Sequence, residues 1–218
     1  MSPKIVDKEL KTREIAQAAL VLFSQKGYET TNVGQLAEIA GIGKGTIYEY
    51  FQTKEDLFIA SINEWIEQDL TQMIALVDEN DDPVIKLFTF IEGSMELHQN
   101  EDSSKIRLFI EFIKHAVMED GIIYKKRNLI KEMKNRWVMM VVDILLHGVS
   151  KGVFKPEIAR DAEKIAVNLL AYLDGISIRG LITEDAMENV PHTEYYIEGF
   201  FKSILAEPDK FGIYIKNL

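Results

Sequence analysis

Apolar residues recur at three- and four-residue spacing along almost the whole chain, which predicts helix nearly throughout. Ile15, Ala16, Ala19, Leu20 and Phe23 form the first stripe, and Gly27 follows as a C-cap. A short helix is predicted over Val33 to Ala40, with Asn32 as N-cap and Gln35 placed to complete a capping box. Gly41 breaks the chain, and a second short helix runs from Lys44 to Phe51. Thr53 then caps a long helix whose stripe is Leu57, Phe58, Ile62, Trp65, Ile66, Leu70, Met73 and Ile74; Asp81-Asp82-Pro83 ends it. Longer helices follow over Val84 to Asn100, Ser103 to Glu119 and Ile122 to Lys151. After a turn at Gly152 to Pro156, Asp161 caps a helix to Leu181 and Thr193 caps one to Leu205, leaving Pro208 and Gly212 in a tail.

The pattern predicts an all-α chain of about nine helices. No alternating strand pair with an Asn-Gly type turn interrupts it. The short helices belong to an N-terminal three-helix head over residues 1–54, and the long ones to a body over 55–218. With 218 residues and only five prolines, the chain is long enough to bury a sizeable core and suited to long helices. The absence of cysteine excludes disulfides, thiolate metal sites and cysteine nucleophiles, and fits a reducing cytoplasm. No apolar run is long enough to span a membrane. The run from Ile15 to Phe23 could pass for a signal peptide, but Gln17 interrupts it, Glu9 and Glu14 spoil a basic start, and no small-residue cleavage site follows.

A net charge of −10 argues against nucleic acid until its distribution is considered. Residues 1–54 hold seven basic and six acidic side chains, whereas 55–218 hold 18 and 29. A near-neutral head on an acidic body can bind phosphate locally, since salt screens the body's field beyond about 8–10 Å.

The stretch from Val33 to Phe51 carries the chemistry. A helix-turn-helix needs a small residue where the helices cross, and Ala37 is one; four residues on, its turn favours positive φ, and Gly41 accepts it. Leu36, Ala40, Ile42 and Ile47 then form the core between the helices, leaving Gly43, Lys44, Thr46, Tyr48 and Glu49 outward. The first residues of such a second helix enter the major groove of DNA. Gly43 and Gly45 allow close backbone approach, Lys44 brings charge, and Thr46, Tyr48 and Tyr50 bring hydroxyls for phosphate. Lys54 starts the next helix beside the expected DNA backbone.

Residues 10–58 resemble the DNA-binding head of the TetR (tetracycline-repressor-like) family of bacterial transcription regulators. The resemblance rests on Ile15 through Phe23, Gly27-Tyr28, Thr31, Leu36-Ala37, Ala40-Gly41-Ile42, Lys44-Gly45-Thr46-Ile47-Tyr48, Tyr50-Phe51 and Lys54-Glu55-Asp56-Leu57. It implies DNA contact through Thr31, Lys44, Gly45, Thr46, Tyr48, Tyr50 and Lys54. Asn32 stands where Thr or Ser is usual and Gly43 where Ser is common, which bears on affinity or operator preference. In the body, Gly152-Val153-Phe154, Ala166 through Ile176 and Leu173-Asp174-Gly175 resemble the family's late turn and penultimate helix. The resemblance implies a homodimer joined by the last two long helices, for which Ile165, Leu169, Tyr172, Ile176, Tyr196, Phe200, Phe201 and Ile204 would serve. It also implies a pocket for a small-molecule effector, with Phe88, Met95, Phe109, Phe112, His115, Trp137, Met140 and Tyr172 as lining candidates. The acidity of the body hints at a cationic ligand, and the bulky residues at a hydrophobic one.

Competing chemistries are weaker. Gly41-Ile42-Gly43-Lys44-Gly45-Thr46 has the look of a phosphate loop, but Glu38 stands where the pattern requires glycine, and helix precedes it instead of strand. His98, His115, His147 and His192 lack metal-ligand spacing. Glu111 and His115 share a helix face at i, i+4, as a hydrogen-bonded pair or a pair of ligands. No catalytic cluster, cofactor or metal is expected. The sequence reads as a cytoplasmic, ligand-responsive repressor released from a palindromic operator, with an activator or ligand sensor on the same head as the alternative.

Overall fold

The computed structural model describes residues 7–78, 81–99, 103–183 and 190–215. These form α1 (Lys8–Lys26), α2 (Val33–Ile39), α3 (Lys44–Tyr50), α4 (Lys54–Asp78), α5 (Pro83–Gln99), α6 (Ser103–Val117), α7 (Ile122–Lys125), α8 (Arg127–Ser150), α9 (Ile158–Thr183), α10 (Val190–Ile204) and α11 (Phe211–Ile215). A 3-10 turn at Pro208–Lys210 precedes α11, and one antiparallel bridge joins Phe154 to Leu205. The all-α class is that implied by the apolar spacing, and the described residues hold eleven α-helices where about nine were expected.

Two local differences, at Lys126 and in the tail, add the two helices, and two others move the starts of α9 and α10. The long helix expected over 122–151 is broken at Lys126, whose φ of −117° and ψ of 33° end α7. The period carries on through the break, so periodicity does not reveal it. α9 begins at Ile158 instead of after Asp161, whose carboxylate is taken by Lys164 Nζ at 2.7 Å and by Arg160. α10 begins at Val190, placing Thr193 buried inside the helix. The tail coils into the 3-10 turn and α11, because Phe211 joins the core.

The chain divides into two compact units that alternate in sequence: residues 1–71 with 101–131, and 72–100 with 132–218. In the first, α1 starts on Asp7, whose Oδ1 accepts from the N–H groups of Glu9 (3.0 Å) and Leu10 (3.2 Å). Its stripe of Ile15, Ala16, Ala19 and Phe23 is buried, with Leu22 joining and Leu20 half-buried. Phe58, Ile62, Leu108, Ile122 and Ile123 complete this core, so α4, α6 and α7 seat the three-helix head. The Arg107 guanidinium of α6 donates to the carbonyl of Gln25 in the last turn of α1, where cations are favoured.

The second unit has its own core, in which Leu87, Phe90, Val141, Leu145, Phe154, Leu169 and Phe201 are nearly or fully buried. α5 lies along α9. The bridge is closed by Lys155 N–H to Ile204 C=O and Ala206 N–H to Val153 C=O, both 2.9 Å.

Candidate nucleic-acid interface

The turn between α2 and α3 is built by local hydrogen bonds. Gly41 N–H donates to Glu38 C=O (3.2 Å) and Ile42 N–H to Ala37 C=O (3.0 Å), with Gly41 at φ +63°. This is the paired closure of a Schellman motif, and it requires a left-handed residue at position 41. Ala37 is 6% exposed and Ile42 half-buried against the same core, so the closure is apolar as well as polar. α2 begins on Asn32, whose Oδ1 accepts from Gly34 N–H at 2.7 Å. The reciprocal half of the expected capping box is absent: Gln35 Oε1 instead faces Lys26 Nζ at 3.4 Å.

α3 is anchored by Ile47, 1% exposed, and by half-buried Tyr50. Its first residues have no side-chain cap, because Gly43 offers no hydroxyl. Lys44, Gly45, Glu49 and Tyr48, the last 45% exposed, face solvent, and Thr46 is half-buried. The outward edge is therefore small at its start, cationic at Lys44 and aromatic at Tyr48.

Besides Asn32, which caps α2, two residues of the expected set are engaged within the protein. Thr31 is 5% exposed and its hydroxyl donates to Gly27 C=O at 2.7 Å, tying the turn after α1. Lys54 donates to Glu29 C=O at 3.3 Å and lies 4.3 Å over the Tyr28 ring. Burial lowers its pKa, while Glu29 and Glu111 oppose that. Burial raises the Tyr28 pKa, aided by Glu55 and Glu29. The support that Tyr28 gives Lys54 escapes sequence reasoning, because the two residues meet only through tertiary folding. α4 is capped by Thr53, whose hydroxyl accepts from Asp56 N–H (3.0 Å) and donates to its carboxylate (2.7 Å). That hydroxyl and Lys126 hold the Asp56 carboxyl below the usual range.

The effector-pocket candidates fall into two groups. Phe112 packs against the first core, Phe109 and Phe112 meet the Trp65 ring, and His115 is buried between Tyr28 and Phe58. Phe88, Met95, Trp137, Met140 and Tyr172 pack against the second core. Of the dimer candidates, Leu169 and Phe201 are fully buried and Ile204 is 2% exposed, so they belong to this protomer's core. Ile165, Tyr172, Ile176, Tyr196 and Phe200 remain partly exposed, with Tyr172 and Tyr196 stacked at 3.6 Å. Among the described residues no three His, Asp or Glu side chains gather as a metal site, and no helix is long and apolar enough to cross a membrane. The side chain of His98 lies outside the described residues.

Residues 11–61 match the model for bacterial regulatory proteins of the tetR family. The chain is 26% identical over 148 residues to the HTH-type transcriptional repressor KstR2 of Mycolicibacterium smegmatis, covering 68% of this chain and 69% of that protein. It is 27% identical over 148 residues to the fatty acid metabolism regulator protein of Bacillus subtilis, covering 68% and 73%. A TetR transcription regulator from Haloarcula marismortui shares the fold with a TM-score of 0.72 at 20% identity, over 90% of this chain and 99% of that one. A Saccharomonospora viridis protein in complex with choline does so with a TM-score of 0.69 at 20% identity, over 91% and 100%.

Proposed function

We propose that this chain, whose residues 11–61 match the tetR family of bacterial regulatory proteins, is a cytoplasmic, homodimeric repressor of that kind that leaves its operator when a small molecule binds the body. The observation that carries the reading is the α2–turn–α3 unit: a hydrogen-bonded Gly41 turn presents Lys44 and Tyr48 to solvent while Ile47 is buried behind them. A helix presented in this way suits the major groove, and a two-fold dimer suits a roughly palindromic site. Residues 1–54 form the DNA-reading division, with Thr31, Asn32, Gly43, Lys44, Gly45, Thr46, Tyr48, Tyr50 and Lys54 at or beneath the contact. Residues 55–218 hold the effector and the dimer seam, to which Ile165, Tyr172, Ile176, Tyr196 and Phe200 contribute.

The effector is a small hydrophobic or cationic molecule, and no cofactor takes part. A regulator of fatty acid metabolism among the relatives and a choline complex among the fold neighbours support the two chemistries respectively. Ligand acts through its preference for a DNA-incompetent arrangement, a coupling of typically about 1–3 kcal/mol. Selection of binders from random duplexes, followed by footprinting with and without candidate effectors, tests the reading. Protection of two symmetric half-sites that effector removes supports repression. Protection that effector strengthens favours the activator or sensor alternative, and no selected duplex rejects DNA binding.

A further inference from the structure

His115 is 6% exposed, and its ring is boxed by Tyr28 and Phe58 at centroid separations of 5.1 and 5.2 Å. Its Nε2 faces Glu111 Oε2 at 3.5 Å, one turn earlier on α6, and neither buried atom has a hydrogen-bond partner among the described residues. The other Glu111 oxygen lies close over the turn after α1, where a Cβ on Gly27 would stand 2.8 Å from it. Tyr28, which walls the imidazole, also carries Lys54 Nζ at 4.3 Å. One aromatic ring thus contacts both a buried titratable group and a cation of the proposed DNA interface.

We propose that His115, with Glu111, is an acid-operated latch beneath the DNA-binding head: the uncharged imidazole holds α6 against the turn at Gly27–Thr31, and its protonation loosens Tyr28 and Lys54 and lowers operator affinity. The latch's effect on DNA rests on the DNA-binding reading above. A buried imidazolium needs a charge-assisted hydrogen bond, which forms at about 2.7–2.9 Å. Glu111 is too distant for that, and closing the gap moves a carboxylate that is seated against Gly27. Protonation is therefore felt at the turn.

The charged and titratable neighbours come from every surrounding element: Glu111 and Lys114 on α6, Tyr28 and Glu29 after α1, Lys54 and Glu55 on α4, and Asp120 after α6. Burial keeps the His115 pKa below its ordinary value; Glu111, Glu29 and Asp120 oppose this and Lys114 adds to it. The folded state then binds the proton less readily than the unfolded chain. The stabilisation is complete above about pH 6.5 and is lost as pH falls from there through the folded value.

The test begins with the whole wild-type protein, isotope-labelled at His, Tyr and Lys, titrated by NMR from about pH 7.5 to 5 across the ordinary His value. Movement of the Tyr28 ring and Lys54 side-chain signals with the His115 midpoint supports the latch. If they stay still while His115 titrates, it is overturned. A duplex obtained by selection is then added. Reciprocity requires that DNA lower the His115 pKa, and that affinity fall by up to about tenfold on acidification for each unit of that shift. His115→Gln should flatten that fall, and where it does not fold the wild-type linkage carries the test. A bound duplex with an unmoved His115 overturns the latch and leaves DNA binding standing. Coupled signals in a protein that selects no duplex leave the local coupling standing and reject the DNA reading.

Discussion

Lys54 Nζ stands 4.3 Å from the centroid of the Tyr28 ring and donates to the carbonyl of the neighbouring Glu29. The cation is thereby held at the start of α4. Tyr28→Leu preserves the apolar bulk but removes the hydroxyl and the π face. A cation–π contact at such a site is worth about 0.5–1 kcal/mol, so operator affinity should fall about two- to fivefold. A double-mutant cycle with Lys54→Met measures the coupling. A coupling of zero would assign the positioning to the Glu29 carbonyl alone.

Lys44 is exposed at the first position of α3, beside Gly43 and Gly45. Lys44→Ala should reduce the slope of log affinity against log salt by about 0.9, the signature of one lost phosphate contact on duplex DNA. Binding titrations at four or five salt concentrations suffice. A slope equal to wild type would mean that Lys44 reads a base or points away from the duplex.

Gly41 and Gly121 should respond to alanine for different reasons. A Cβ at Gly41 meets nothing within 4 Å, and only its φ of +63° is unfavourable. Gly41→Ala should destabilise by about 1–2 kcal/mol. A Cβ at Gly121 would run into the His115 carbonyl oxygen, a backbone atom that cannot swing aside. Gly121→Ala should therefore cost more than Gly41→Ala in urea denaturation, and the reverse order would contradict the close approach.

Phe200 and Phe201 are adjacent but differ in fate: the first is half-buried, the second 0% exposed. Phe200→Glu should give a folded monomer that binds DNA poorly, seen by sedimentation and circular dichroism. Phe201→Ala should destabilise the protomer itself by about 3–5 kcal/mol through the cavity it leaves. Persistence of the Phe200→Glu dimer at micromolar concentration would place the seam elsewhere.

The head is legible in the sequence because its determinants are close in the chain. Asn32 caps within two residues, Gly41 closes a turn over five, and Ile47 completes the small core. The break at Lys126 is illegible because apolar spacing continues across it while the backbone leaves the helical region. The start of α9 is misread because Asp161, a good cap by type, spends its carboxylate on Lys164 and Arg160. Helical phase also places Leu169 and Tyr172 on one stripe, yet burial seals the first and leaves the second partly open. Periodicity marks an apolar face without saying which edge of it meets its own core. Likewise, the aromatic residues of α5, α6 and α8 look alike in sequence but join two separate cores.

The Phe154–Leu205 bridge makes α9 and α10 two limbs of a loop stapled at its neck. Fraying that begins at the end of α10 must first unzip the Lys155–Ile204 and Val153–Ala206 bonds. A push on either limb is thus shared by the other, so the seam proposed on this pair would meet a second subunit as one unit.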